Sequence, residues 1–337
     1  MNDSELLDQL TRLPEGFLDL TVENILSVLP KPTLIRLEGA RREALFVSIL
    51  LHGNEYSGLI AVQRLLAKYP GLLPRDMVLF VGNVSAAAVG RRTLPGQTDF
   101  NRCWPGSELP PDPVIRMARQ VFDSVTGSPL FAAIDVHNNS GANPHYACMT
   151  DVTQANQHLA AMFNHIGLVF KRPRGVSTMA FDGVCPAVTI ECGRPGDEAG
   201  IQHAFEMLDA LLNMDHLPQR PVAPHDLQLV QSLATMNVRD DVTFDFNLSA
   251  QADLTFDAGF ERKNFTELKS TDVLAHTRVA RPLRITNQQG DDVTDEMMRV
   301  ENGKVYLNRT LMPAMITLDK AIVRQDCLCY LLADYHE

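Results

Sequence analysis

The sequence predicts an α/β fold, a mixed central sheet with helices on both faces, followed by a smaller, mostly β C-terminal domain. Three observations carry this. Over the first two thirds of the 337 residues, short apolar runs of β character alternate with segments whose apolar residues recur at helical spacing, the pattern of a layered α/β domain. Residues 216–225 hold Pro218, Pro221 and Pro224 and read as a stiff linker. Beyond the linker the segments become short and alternating. The division that follows is a larger domain over residues 1–217 and a mostly β domain over 226–337.

Taken in order, residues 34–37 and 44–51 are largely apolar runs bounded by charge or glycine and read as paired strands. Residues 57–69 carry Leu59, Ile60, Val62, Leu65 and Leu66 at helical spacing and stop before Pro70-Gly71. Residues 77–84 form another apolar run, followed by a long connection rich in Gly and Arg. Residues 111–125 read as a helix opened by Pro111-Asp112-Pro113. A strand at 131–136, a helix at 155–165, strands at 168–171 and 187–190, and a helix at 199–212 complete the series. In the C-terminal part, residues 242–246, 254–256, 304–307 and 327–332 read as strands.

Composition narrows the function classes. Hydrophobic residues make up 45% of the chain and charged residues 21%, ordinary values for a globular protein. A formal net charge of -11 disfavours nucleic acid or an anionic membrane as partner, because both reward a basic face. Residues 1–10 carry Asp3, Glu5 and Asp8 and lack the basic-then-apolar pattern of a secretory signal. The longest apolar runs fall well short of the ~20 residues that span a bilayer. Cys103, Cys148, Cys185, Cys192, Cys327 and Cys329 keep neither zinc-ribbon nor disulfide-scaffold spacing, and the Cys327/Cys329 pair reads as buried thiols on the last strand. Asp240, Asp241, Asp245, Asp253 and Asp257 lack the glycine turn and closing Glu of a calcium loop and read as solvated turns. A soluble cytoplasmic protein is expected, with a small-molecule partner and with homo-oligomers left open.

The chemistry gathers at strand ends. In His52-Gly53-Asn54-Glu55 an apolar run delivers His52 to the carboxyl end of a strand, where ligands of open α/β sheets collect. An imidazole and a carboxylate suit zinc, and a catalytic zinc needs a third protein ligand and an open position. A lone H-x-x-E also fits a surface His beside a helix-capping Glu. Two further strands shift that balance: residues 131–136 end in His137, and residues 187–190 end in Glu191. Two imidazoles, one ligating carboxylate and one spare carboxylate are the parts of metal-assisted hydrolysis. Either Glu55 or Glu191 can be the spare. Glu55, three residues from His52, can share its metal, whereas Glu191 can face the open position and move a proton. Asp135 would share a strand face with His137, either as its hydrogen-bond partner or as a sheet-end cap. Arg91, Arg92, Asn101 and Arg102, in the connection after residues 77–84, form an anion-binding wall beside such a site.

His-Gly-Asn-Glu at 52–55, Asp-Phe-Asn-Arg at 99–102, Asp-Val-His-Asn-Asn at 135–139 and Thr-Ile-Glu-Cys-Gly at 189–193 resemble, in order, the motifs of the succinylglutamate desuccinylase/aspartoacylase family, which belongs with the zinc carboxypeptidases. The resemblance covers about residues 40–215. It implies one zinc per chain held by His52, Glu55 and His137, with Glu191 as general base and proton shuttle. It further implies that Asn101 and Arg102 hold a substrate carboxylate, that Asp99 accepts a hydrogen bond from His52, and that Arg92, or failing it Arg91, stabilises the oxyanion. One departure stands out: residues 177–190 contain no Arg or Lys where relatives acting on acidic acyl groups carry an Arg. Either Arg172 or Arg174 serves the acyl pocket from a loop, or that pocket takes no second carboxylate. The expected activity is deacylation of small N-acyl amino acids, with a metallocarboxypeptidase acting on peptide C-termini as the alternative.

Overall fold

A computed structural model describes residues 6–336; residues 1–5, part of the stretch read for a signal, lie outside the described residues, as does residue 337. The chain forms two compact units. The first runs up to Asn138 and resumes over His145–Gln228, and the second takes in Asn139–Pro144 and the chain from Leu229 onward.

In the first unit β1 (Asp8–Leu10), β2 (Thr33–Leu37) and β3 (Gly39–Ile49) lead into α1 (Ser57–Lys68). Then come β4 (Leu73–Val81), α2 (Val84–Ala87), α3 (Pro113–Thr126), β5 (Leu130–His137), β6 (Tyr146–Met149), α4 (Gln154–Phe163), β7 (Ile166–Val169), α5 (Ser177–Ala180), β8 (Ala187–Glu191) and α6 (Glu198–Asn213). The strands order as β1-β2-β4-β3-β5-β8-β6-β7. The β4-β3-β5-β8 centre is parallel throughout, while β2 and β6 attach antiparallel to β4 and β8. This is the expected mixed α/β sheet.

One expectation is corrected. The runs at 34–37 and 44–51 do not pair with each other, because β4 lies between them, opposing β2 through Leu34↔Phe80 and running beside β3 through Phe46↔Val78. The reason is burial. Residues 77–81 are apolar on both faces and buried, so β4 has to be an interior strand.

Each face of the sheet has its own cover. Phe46, Phe80, Ala133 and Ala187 share a core with Trp104, Phe181 and the α3 residues Met117 and Val121. The Trp104 ring stands edge-on to Phe80 at 5.9 Å and to Phe46 at 6.2 Å. On the opposite face, Ile49 and Val136 meet α1 at Gly58, where a Cβ would lie 2.9 Å from Ile49 Cγ2 and 3.0 Å from Val136 Cβ. Only glycine lets the first turn of α1 come this close, and that approach sets the position of the residues just before it.

The second unit is built from strands. β9 (Gln228–Val238) pairs with both β13 (Leu283–Asn287) and β17 (Cys329–Asp334), and β17 also pairs with β16 (Met312–Ala314). A five-stranded sheet joins β10 (Phe244–Asp245), β11 (Leu254–Thr255), β12 (Val273–Thr277), β15 (Lys304–Leu307) and β14 (Met298–Glu301). The helices α7 (Thr294–Met297) and α8 (Lys320–Gln325) are short. Met236, Ile285 and Leu331 share a core with Phe244, Phe256, Phe260 and Val305. Among the described residues no helix is long and apolar enough to cross a membrane.

Gly58→Leu overfills the α1 contact and is expected to lower stability by about 1–3 kcal/mol, read as a lower urea midpoint at unchanged slope.

Candidate metal centre

The site grows out of strand register. Parallel pairing sets Phe46, Ala133 and Ala187 side by side across β3, β5 and β8; two residues on it sets Ser48, Asp135 and Thr189 in a row, and then His137 beside Glu191. Side chains alternate along a strand, so these rows lie on one face of the sheet. That face turns from apolar to polar to proton-active toward the carboxyl ends of the strands. The other face stays apolar through Val47, Ile49, Ile134, Val136, Val188 and Ile190.

Beyond β3 the chain turns at Leu50, whose φ of 55° is left-handed. Such a conformation costs a non-glycine residue about 1–3 kcal/mol and persists where its surroundings impose it. Here Gly82 N donates to Ile49 O at 3.0 Å and Asn83 N to Leu50 O at 2.6 Å. At Gly53 a Cβ would lie 2.2 Å from Ala87 N, so glycine alone lets this turn pass against α2. Glu55 N then donates to His52 O at 3.1 Å, which brings both side chains to one side of the turn.

His52, Glu55 and His137 are all buried, and one donor atom from each lies within 4.8 Å of the others. Glu55 sits between the imidazoles, with Oε1 2.8 Å from His52 Nδ1 and Oε2 2.7 Å from His137 Nδ1. The far nitrogens meet carboxylates: His52 Nε2 is 3.0 Å from Asp99 Oδ1, and His137 Nε2 is 2.8 Å from Asp135 Oδ2. An ionised carboxylate only accepts, so with a cation in place of a proton between Glu55 and the imidazoles, each Nε2 would keep its proton on an aspartate and each Nδ1 would face inward as a ligand. This is the usual setting of a metal-binding histidine, with its outer N–H held by a carboxylate. Two imidazole nitrogens and a carboxylate oxygen are a donor set for a divalent cation.

The supporting groups are equally specific. Ser48 Oγ donates to Asp135 Oδ1 at 2.6 Å. Asp99 Oδ1 also accepts from Asn101 N at 2.7 Å, while Arg92 donates to Asp99 Oδ2 through Nη2 at 3.1 Å and Nε at 3.3 Å. Arg92 Nη1 lies 3.7 Å from Glu55 Oε1, so this guanidinium faces two of the carboxylates at once. Asn101 Oδ1 accepts from Ser177 N at 2.9 Å, its Nδ2 is 3.3 Å from His137 Nε2, and Arg102 Nη1 donates to Asn101 O at 2.7 Å.

Burial and charge compete at every group. Burial raises the Glu55 carboxyl, but the flanking His52 and His137 outweigh it and leave Glu55 well below the usual range. Burial also opposes ionisation of Asp99, and His52 with Arg92 and Arg102 again prevails. Burial lowers His137, yet Asp135 and Glu55 on either side raise it well above the ordinary imidazole value. Glu191 differs: burial dominates and pushes it up to about 7.

The structure thus gathers His52, Glu55 and His137 with Asp99, Arg92 and Asn101, and places Glu191 next to His137. Arg91 is exposed. Arg172 and Arg174 reach Glu108, at 2.9 and 3.2 Å, on a partly exposed surface. Asp135, left open between two roles by the sequence, contacts His137 directly. Ser48, Ser57 and Asn138 belong to the site's supporting network and were not singled out from the sequence, because short polar residues in buried runs carry no spacing signal.

The succinylglutamate desuccinylase/aspartoacylase catalytic-domain pattern matches residues 43–214, half of the chain. The chain belongs to this family. It is accordingly a hydrolase of the zinc-dependent amidohydrolase class, with a His52-Glu55-His137 cluster fit for a divalent cation. Among solved structures, the Rhodobacter sphaeroides succinylglutamate desuccinylase/aspartoacylase superposes with a TM-score of 0.60 at 15% identity, over 89% of this chain and 88% of that one. Vibrio parahaemolyticus succinylglutamate desuccinylase gives 0.59 at 12% identity, over 88% and 82%. Murine aminoacylase 3 gives 0.54 at 16% identity, over 88% and 96%. At such identities these likenesses concern the fold. No curated protein sequence matches the chain.

A cation must displace the proton that His137 holds toward Glu55, so divalent-metal affinity is expected to weaken as the pH falls, measured by chelator competition. The metal-free protein should show the complementary trend. His137 is raised in the folded state, so its contribution is complete below about pH 6.5 and is lost as the pH climbs through the raised value. Glu191, raised to about 7, loses its own contribution between about pH 4 and 7, and the buried thiols, raised by burial, lose theirs only above about pH 8.5, so a fall in melting temperature between about pH 7 and 8 reports His137. A metal affinity independent of pH would contradict this assignment.

Proposed function

We propose that this protein is a zinc-dependent deacylase of small N-acyl amino acids, with residues 1–217 as its catalytic domain. One observation carries the reading. The buried His52-Glu55-His137 cluster stands at the ends of adjacent parallel strands, with Glu191 in register beside His137 and raised to about 7. His52, Glu55 and His137 would hold the zinc, which when bound polarises an amide carbonyl and acidifies water.

The chain's own residues do the rest. Glu191 takes the proton from the attacking water and later hands it to the leaving amine; a carboxyl near 7 is balanced for both transfers. Arg92, already facing Glu55, offsets negative charge developing on the carbonyl oxygen. Asn101 and Arg102 hold the carboxylate of the amino-acid half, the match for which a guanidinium is suited. Asp99 keeps His52 in the tautomer and orientation a ligand needs. The Arg172 and Arg174 contacts with Glu108 favour an acyl pocket that takes an uncharged group such as acetyl. Cysteines without disulfides suit the reducing cytoplasm as the compartment.

Amine release from a panel of N-acetyl and N-succinyl amino acids and short peptides tests the reading. Turnover of N-acetyl amino acids above their N-succinyl counterparts is the expected result. Preference for succinyl would overturn the uncharged acyl pocket, and release only from peptide C-termini would replace deacylase with carboxypeptidase. Glu191→Gln should lower kcat by ~10²–10⁴-fold at unchanged zinc content. In the unsubstituted enzyme kcat/KM should rise with pH through an inflexion at or below about 7, since a nearby cation favours the carboxylate. Retained turnover in Glu191→Gln would remove the residue from the mechanism.

A further inference from the structure

Asn138 follows His137 directly, and its side chain is buried at 4% exposure. Two separate segments converge on it. Its Oδ1 accepts from Ser57 N at 3.1 Å, and its Nδ2 donates to Ser57 Oγ at 2.9 Å and to Gly193 O at 3.0 Å. Ser57 Oγ also accepts from Gly196 N at 3.1 Å. The backbone N of Asn138 donates to Glu55 Oε2 at 3.1 Å. One amide group therefore ties together the turn that carries Glu55, the strand end that carries His137 and the loop that follows Glu191.

The cap of α1 comes from outside the helix and the turn before it. α3, α4 and α6 start at Asp112, Thr153 and Asp197, and each of these side chains accepts from its own helix. Tyr56, at the head of α1, supplies no such bond. The cap comes instead from Asn138 on the end of β5. The helix that follows Glu55 is thus fixed to the site rather than to its own preceding turn. Both functions of a carboxamide are used, one as acceptor and one as donor. Aspartate would keep the acceptor and turn an oxygen toward the Gly193 carbonyl.

We propose that Asn138 is a positioning residue that fixes Glu55 and Glu191 relative to each other, so that metal affinity and proton transfer depend on one buried amide. This rests on the roles given above to Glu55 and Glu191. The substrate carboxylate is held elsewhere, by Asn101 and Arg102, so the dependence falls on kcat and on metal binding rather than on KM.

The test uses the full-length protein with Asn138→Ala, Asn138→Asp, Ser57→Ala and the Ser57→Ala/Asn138→Ala double variant. Zinc affinity is read by chelator competition, kcat and KM on the best substrate of the panel, and folding by thermal melting. In folded Asn138→Ala, zinc affinity and kcat should each fall by ~10–100-fold with KM unchanged. Asn138→Asp, although isosteric, should fall similarly. Ser57→Ala should fall less and add little to Asn138→Ala, because the two share one interaction. Wild-type zinc affinity and kcat in a folded Asn138→Ala would overturn the proposal, as would a fully additive double variant. If Asn138→Ala does not fold, Ser57→Ala decides, and unchanged values there overturn it. If no acyl substrate is turned over by the unsubstituted protein, the deacylase reading fails, yet zinc affinity still decides the role of Asn138.

Discussion

Parallel pairing of β3, β5 and β8 constrains everything at this site, because a strand alternates its faces with a period of two. A slip of one residue between β5 and β8 would part His137 from Glu191 and turn one of them toward the α1 face. The apolar rows below the site oppose such a slip. Phe46, Ala133 and Ala187 must stay on the side of Trp104 and Phe181, and Ile49 and Val136 on the side of Gly58. Ordinary core packing thereby holds the polar rows in place, and the site needs no separate scaffold.

Those polar rows are expensive to bury. An isolated carboxylate loses far more hydration than the interior returns, so buried charges occur paired or neutralised. The structure uses both solutions. Glu55 and Asp99 are kept ionised by His52, His137 and Arg92, whereas Glu191 is pushed toward its neutral form. The difference between two glutamates on neighbouring elements is therefore environmental: one sits between imidazoles, and the other meets burial as the dominant influence. Two glutamates are driven to opposite protonation states in this way without any difference in side-chain chemistry.

Much of this was legible in the sequence, and its limits have physical causes. Histidines and a glutamate at the ends of apolar runs stand out because charge is rare there, so His52, His137 and Glu191 announced themselves. The alternation of strands and helices likewise gave the mixed sheet. Strand order did not follow, because adjacency in sequence suggests a β2–β3 pair while burial on both faces draws β4 between them. Asp135 was visible as a neighbour of His137 on one strand face, but the choice between partner and cap needed the 2.8 Å contact. Asn138 and Ser57 were beyond reach, since their meaning lies in contacts across 81 positions of chain.

Consider finally what must occupy the space inside the cluster. Each imidazole meets an aspartate through Nε2 and a Glu55 oxygen through Nδ1, and an ionised carboxylate only accepts. A bare Nδ1 and a carboxylate oxygen at 2.7–2.8 Å would repel unless something positive lay between them. A proton can serve, and the raised His137 shows where one is held. A divalent cation serves better, because it can take all three donors at once and leave both imidazoles in the tautomer their aspartates require. It also answers the nearby charge balance, in which Glu55 and Asp99 share one guanidinium, that of Arg92. The outer carboxylates therefore do more than orient the histidines: by claiming the Nε2 protons, they make the interior of the cluster a place where only a cation is comfortable.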